Sequence, residues 1–213
     1  MLTLPIPFGH IDVIGSTVIT AEDVIFEGNI SQPVNILQVN TSDLKERLVH
    51  DLRIESVSIN RKFPFAIEVE INEKKAIAVM QGEYAYAFLD KYGNIMQMEP
   101  SIESSNLPMI TGRKLGNVLL GDQLKDSQIL KAIAFINGMS AEGANAFSEV
   151  NIGNPDNIMA YTRDGISVRL KNGDNIKEQA ALAENMVSDV RARGLSVEYL
   201  DANLTSPFIK LKK

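Results

Sequence analysis

Two histidines, His10 and His50, and no cysteine set the limits of the nucleophilic and metal-binding chemistry open to this chain. Without thiols there is no thiolate metal site, no disulfide and no cysteine nucleophile. Neither histidine accompanies a G-x-S-x-G elbow, and no H-E-x-x-H pair of zinc ligands occurs. Carboxylates suited to acid–base work are Glu22 with Asp23, Glu68 with Glu70, and Glu103. Glu68 and Glu70, however, alternate with Ile67, Val69 and Ile71, so they belong to the wet face of a strand. Gly112, Gly116 and Gly121 lack the strand-loop-helix frame and lysine-threonine ending of a phosphate cradle. None of these residues falls in a recognised catalytic, phosphate-binding or metal-ligating motif, and the carboxylate pairs remain as candidates.

The wider composition narrows the partners. Net charge is −6 over 213 residues, and the basic side chains are scattered apart from the Ile209-Lys210-Leu211-Lys212-Lys213 end. A nucleic-acid binder needs a basic stripe to displace counterions from phosphates, so that class is set aside. An apolar fraction of 45% and a charged fraction of 23% describe an ordinary globular chain. No run reaches the ~18 apolar residues of a membrane span. Residues 1–7 (MLTLPIP) are apolar but lack the basic start and small-residue cleavage site of a signal peptide. They read either as the lead-in to a strand or as the exit of a membrane helix.

The elements that position these residues follow from periodicity. Ile11 and Val13 alternate with Asp12 in a short strand. Thr20, three residues before Asp23, opens a helix with capping-box chemistry, and Gly28-Asn29 ends it. Leu44, Leu48 and Leu52 recur at helical spacing in a second helix. Val57-x-Ile59 and Ile67-x-Val69-x-Ile71 form two strands joined through Arg61-Lys62-Phe63-Pro64, where a proline needs no ladder N–H. After the charged break at Glu73-Lys74-Lys75 the strand pattern resumes, which predicts one ladder running into a second unit with almost no linker.

In that second unit, two strands flank the Gly93-Asn94 turn, and Ile129, Ile133 and Ile136 stripe a helix closed by Gly138. Two further strands flank Asp164-Gly165. The strongest helix begins at Ile176, buries Ala180, Ala183, Val187 and Val190, and stops at Gly194. The final strands are LSVEYLD and PFIKLK. The last puts Phe208 and Lys210 on one face and Ile209 and Leu211 on the other. A terminal strand at a sheet edge offers unpaired backbone groups to a partner, unless its lysines serve to block such pairing.

In this order and spacing the pieces resemble the extracytoplasmic part of the bacterial cell-division family FtsQ/DivIB, over roughly Phe8 to Lys212. The resemblance is carried by HIDVIGSTVITAEDV, NILQVNTSDLKERL, VSINRKFPFAIEVEINEKKAIA, FLDKYGNIM, LPMITG and DGISVRL. Two departures stand out. The family usually has a tryptophan where Phe63 stands, and often an Asp-x-Arg where this chain has Asp201-Ala202-Asn203, so no arginine stands at that place.

The resemblance implies an α+β fold: residues 1–7 as the remnant of a membrane-helix exit, a POTRA domain (β-α-α-β-β) over 8–75, and a β domain with a mixed sheet and flanking helices over 76–213. Arg61, Phe63 and Pro64 would make the POTRA hairpin, and Glu73 would open the hinge that runs to Ala78. It also implies a non-enzymatic scaffold of the divisome, tethered by a single membrane span with this region outside the cytoplasmic membrane at the septum. Its partners would be FtsB/DivIC-type and FtsL-type division proteins, docked on Tyr199, Phe208, Ile209, Lys210 and Leu211 by strand addition. The rival readings are a POTRA-type chaperone or translocation module, and a cell-wall enzyme built on a carboxylate pair.

Overall fold

The computed structural model describes residues 7–102, 105–171 and 175–212. Residues 1–6, Glu103 and Lys213 lie outside the described residues, and with them most of the expected membrane-helix exit and one candidate carboxylate. The chain divides into two compact units between Lys74 and Lys75, and its architecture is α+β.

The first unit runs β1 (His10–Ile14), α1 (Ala21–Glu27), α2 (Thr41–Val49), β2 (Ile54–Lys62) and β3 (Ala66–Glu73). Its sheet has the order β1-β3-β2, with β1 parallel and β2 antiparallel to the central β3. Period-two alternation sends Ile67, Val69 and Ile71 inward to meet Val24 of α1 and Leu44 and Leu48 of α2. Thr20 and Asp23 exchange the two bonds of a capping box, and Asn40 caps α2 by accepting from Ser42 N–H and Asp43 N–H. Leu52 departs from the expected stripe: α2 ends at Val49, and Leu52 lies beyond it with its side chain exposed. The Asx-type turn at Asp51, which takes Arg53 N–H at 2.8 Å, turns the chain before another helical turn can form.

The second unit runs β4 (Ala78–Gln81), β5 (Tyr86–Leu89), β6 (Ile95–Glu99), β7 (Met109–Thr111), α3 (Ser127–Asn137), α4 (Ala141–Asn145), β8 (Phe147–Asn151), β9 (Asn157–Thr162), β10 (Ser167–Lys171), α5 (Ile176–Ala192), β11 (Val197–Asp201) and β12 (Phe208–Leu211). One mixed sheet of nine strands carries the order β12-β11-β10-β9-β8-β7-β4-β5-β6. Ile129, Ile133 and Ile136 of α3 and Ala180, Ala183, Val187 and Val190 of α5 fall in the same buried cluster as the inward residues of these strands. Parallel pairing of β10 with β11 follows from the crossover through α5.

Three details differ from what the sequence suggests. No ladder passes from the first unit to the second, since β3 and β4 belong to different sheets and residues 74–77 belong to no strand. The short helix α4 has no counterpart in the sequence reading, because five residues are too few to show a period. Gly138 does end α3, but in the right-handed region; a Cβ there would lie 3.0 Å from the Ala180 Cβ and 3.1 Å from the Lys177 Cα. Close approach of α3 to α5, not a left-handed stop, is what requires glycine at this position.

Candidate functional site

Several of the carboxylates and histidines that chemistry would need have structural parts, and Glu22 lies in the first turn of α1. His10 pairs with Asp12 at 3.2 Å on an exposed strand face, and His50 is the residue that caps the carbonyl end of α2. Asp23 is spent in the capping box, and its bond from Thr20 N–H holds the carboxyl below its ordinary pKa. Glu68 pairs with Lys62 at 3.2 Å, and Glu70 accepts from Ser58 Oγ at 3.3 Å. Among the described residues no three histidine, aspartate or glutamate side chains gather as a metal would require.

The hairpin and hinge residues also hold the first unit together. Arg61 donates through its two terminal nitrogens to the carbonyls of Ile36 and Val39, both at 2.6 Å, and so fastens the segment between α1 and α2 to the end of β2. Pro64 lies in the three-residue link between β2 and β3, outside the ladder. Phe63 beside it is 97% exposed. Glu73 ends β3 and gathers the loop after β1: Ser16 Oγ, Thr17 N–H at 3.1 Å and Val18 N–H at 3.3 Å all donate to its Oε1. A carboxylate bound on that side is anchored within its own unit.

The second unit leaves two sheet edges. That of β6 is partly closed where Ile95 exchanges backbone bonds with Gly121 and Asp122, at 2.8 and 2.9 Å. On the other side β12 is the outermost strand. Lys212 N–H donates to Ser196 C=O and Ala202 N–H to Arg169 C=O, at 3.0 and 2.9 Å. These two bonds fix the phase of the last strands. Tyr199 and Asp201 point their backbone groups toward β12, while Ile209 and Leu211 point theirs away from β11, to the free edge.

Side chains at this edge divide by face. Ile209 packs against the core cluster, whereas Phe208 and Leu211 are exposed. On the helix-free face, Tyr199 and Phe208 meet edge to face with centroids 5.6 Å apart. Lys210 lies 5.3 Å from the Tyr199 ring centroid and 2.9 Å from Glu198, whose carboxylate raises the lysine pKa. The structure therefore brings Tyr199, Phe208 and Lys210 together and separates Ile209 from them. It adds Arg169 of β10, whose guanidinium lies 4.7 Å from the same ring. Alternation in Ser167-Val168-Arg169 places this arginine on the wet face, but its position two strands from the edge depends on the parallel register Arg169↔Asp201, which no local pattern reveals. The guanidinium over Tyr199 is thus supplied from β10, in a chain whose Asp201-Ala202-Asn203 lacks an arginine.

Comparison with known proteins places these features in context. Residues 6–74 match a family model described as a POTRA domain of FtsQ type, and residues 78–203 one described as the C-terminal part of cell division protein FtsQ/DivIB. β12 lies beyond that second match. The chain is 25% identical over 191 residues to cell division protein DivIB of Clostridium acetobutylicum, covering 87% of this chain and 76% of that one. It is 23% identical over 192 residues to cell division protein FtsQ of Syntrophotalea carbinolica, covering 88% and 67%. The solved major extracytoplasmic domain of DivIB from Geobacillus stearothermophilus aligns with a TM-score of 0.39 at 16% identity, over 57% of this chain and 93% of that domain.

Proposed function

The chain belongs to the FtsQ/DivIB family of cell-division proteins, and from that premise we propose that it acts as a non-enzymatic scaffold, docking partner division proteins by strand addition at β12. In this reading the region lies outside the cytoplasmic membrane, tethered by a single span, and its partners are of the FtsB/DivIC and FtsL type. The observation that carries the proposal is the phase of β12: the N–H and C=O groups of Ile209 and Leu211 face away from β11 at the end of the sheet. An extended segment laid along that edge would gain backbone bonds from both residues.

Selectivity would come from the exposed face. Phe208 and Tyr199 form an apolar step beside two cations, Lys210 and Arg169. Aromatic and arginine side chains of this kind dominate the energetics of small interfaces. Ile209 and Leu211 then have separate parts: Ile209 holds the strand on the core, and Leu211 is exposed at the edge. Lys210 is engaged by Glu198, which holds its ammonium at the neighbouring strand β11.

Calorimetric titration of the chain with the extracytoplasmic segment of an FtsB/DivIC-type protein from the same organism tests this reading. Saturable binding that competes with a peptide copy of the docked strand supports it. Absence of binding at a concentration where both proteins are folded overturns it.

A further inference from the structure

The end of the first unit opposite Glu73 carries an apolar rim that its core does not use. Phe63 is 97% exposed, Leu37 71% and Phe65 52%, in a unit where β2 and β3 turn mostly polar side chains to the other sheet face. These residues come from two separate stretches of sequence. Arg61 brings the Leu37 segment to the hairpin by holding the carbonyls of Ile36 and Val39. Phe8 joins both: it exchanges backbone bonds with Val34 and Ile36, each at 3.0 Å, and its ring meets that of Phe65 edge to face at 5.3 Å. Single exposed apolar residues need no explanation, but Phe63 and Phe65 share the three-residue link between β2 and β3, and Leu37 follows the Ile36 that both Arg61 and Phe8 hold.

Phe8 is also where the uncharged segment Met1-Leu2-Thr3-Leu4-Pro5-Ile6-Pro7 meets the folded unit. Phe8, whose ring lies against Phe65 of the rim, follows a stretch with no charged side chain. Lys62 flanks the hairpin tip, its exposed ammonium 3.2 Å from the half-buried Glu68 carboxylate. Exposed aromatic and aliphatic side chains with a flanking lysine suit the boundary of a lipid bilayer, where apolar groups enter the acyl region and the amine stays among headgroup phosphates.

We propose that the β2–β3 hairpin tip, with Leu37, is a lipid-contacting element that seats the first unit on a membrane surface. This goes beyond partner docking at β12, and failure of either leaves the other standing. β3 spans about 23 Å from Ala66 to Glu73 at ~3.3 Å per residue, so contact at the Phe63 end keeps the Glu73 end clear of an interface that admits only the outer ~5–10 Å of a bound element.

The chain contains no tryptophan, so a single one reports its own surroundings. Phe63→Trp is mixed with vesicles of phosphatidylethanolamine and phosphatidylglycerol, with Val18→Trp as the reference, since Val18 sits in the loop held by Glu73 at the far end of β3. The expected result is a shift of the Phe63→Trp emission to shorter wavelength, with quenching by brominated acyl chains and no response from Val18→Trp. Wild-type chain should float with the vesicles, and a Leu37→Ser, Phe63→Ser double variant several-fold less. Three results overturn the proposal: no shift in the Phe63→Trp protein with its circular dichroism intact, equal shifts from both reporters, or an emission already at short wavelength in buffer. The first leaves the rim as a surface for a protein, and the last places it under the first residues of the chain itself.

Discussion

Tyr199 and Phe208 pack edge to face across the last two strands, 5.6 Å between centroids and 72° between planes, although Tyr199 is directly opposite Lys210 and Phe208 opposite Asp201. The rings reach one another on the diagonal of an antiparallel ladder. The contact adds to the ladder bonds that join the four-residue edge strand to β11.

Aromatic pairs of this geometry contribute about 0.5–1.5 kcal/mol beyond their buried area. A double-mutant cycle with Tyr199→Ala and Phe208→Ala, read by chemical denaturation, should return a coupling energy in that range. Additive effects of the two substitutions would show that the rings are merely adjacent.

Proline scanning separates the two sides of β12. Leu211→Pro removes an N–H that faces the free edge and a side chain that is already exposed, so the fold should survive while strand addition is lost. Lys210→Pro removes an N–H from the ladder with β11 and should detach the strand. Calorimetry with the partner segment, beside amide exchange of β11, distinguishes them. Wild-type affinity in the Leu211→Pro protein would move docking off this edge.

Arg191 in the last turn of α5 grips Asp164 in the β9–β10 turn through two bonds of 2.8 Å. That bidentate guanidinium, with a further bond from Thr162 Oγ1, holds the Asp164 carboxyl well below its ordinary pKa of 3.8. A lowered folded-state pKa means that the stabilisation is fully present above the unfolded value and is lost as pH falls through the folded one. Both side chains are more than a third exposed, which limits the contribution to at most ~1 kcal/mol. Asp164→Asn should therefore lower the melting temperature slightly at neutral pH, and the difference from wild type should shrink once the pH is taken below about 3.8.

Glu73 gathers one hydroxyl and two backbone N–H groups of the Ser16–Val18 loop. Bonds to a charged acceptor contribute more than neutral ones, and partial exposure here reduces the net to about 1 kcal/mol. Glu73→Ala should destabilise the first unit by that amount and speed amide exchange at Thr17 and Val18, with Glu73→Gln intermediate. Unchanged exchange at both amides would remove Glu73 from this role.

Much of this protein is written locally. Alternation at Ile67-Glu68-Val69-Glu70-Ile71, the Thr20–Asp23 capping box and the stripe Ala180-Ala183-Val187-Val190 each depend on a short-range period or a bond across three residues, so sequence alone located these elements and their order, while α4, too short to show a period, was decided by the structure. It also identified the terminal strand and the alternation of its faces. Register and neighbour relations are long-range, and only the tertiary structure decided them. Arg169 reaches Tyr199 because α5 returns the chain parallel to β10, Glu73 binds a loop 55 or more residues away, and the Ile36–Val39 segment meets the end of β2 because Arg61 holds two of its carbonyls. No side-chain pattern encodes such meetings, since each is set by how separately formed elements pack, and packing is a property of the whole unit.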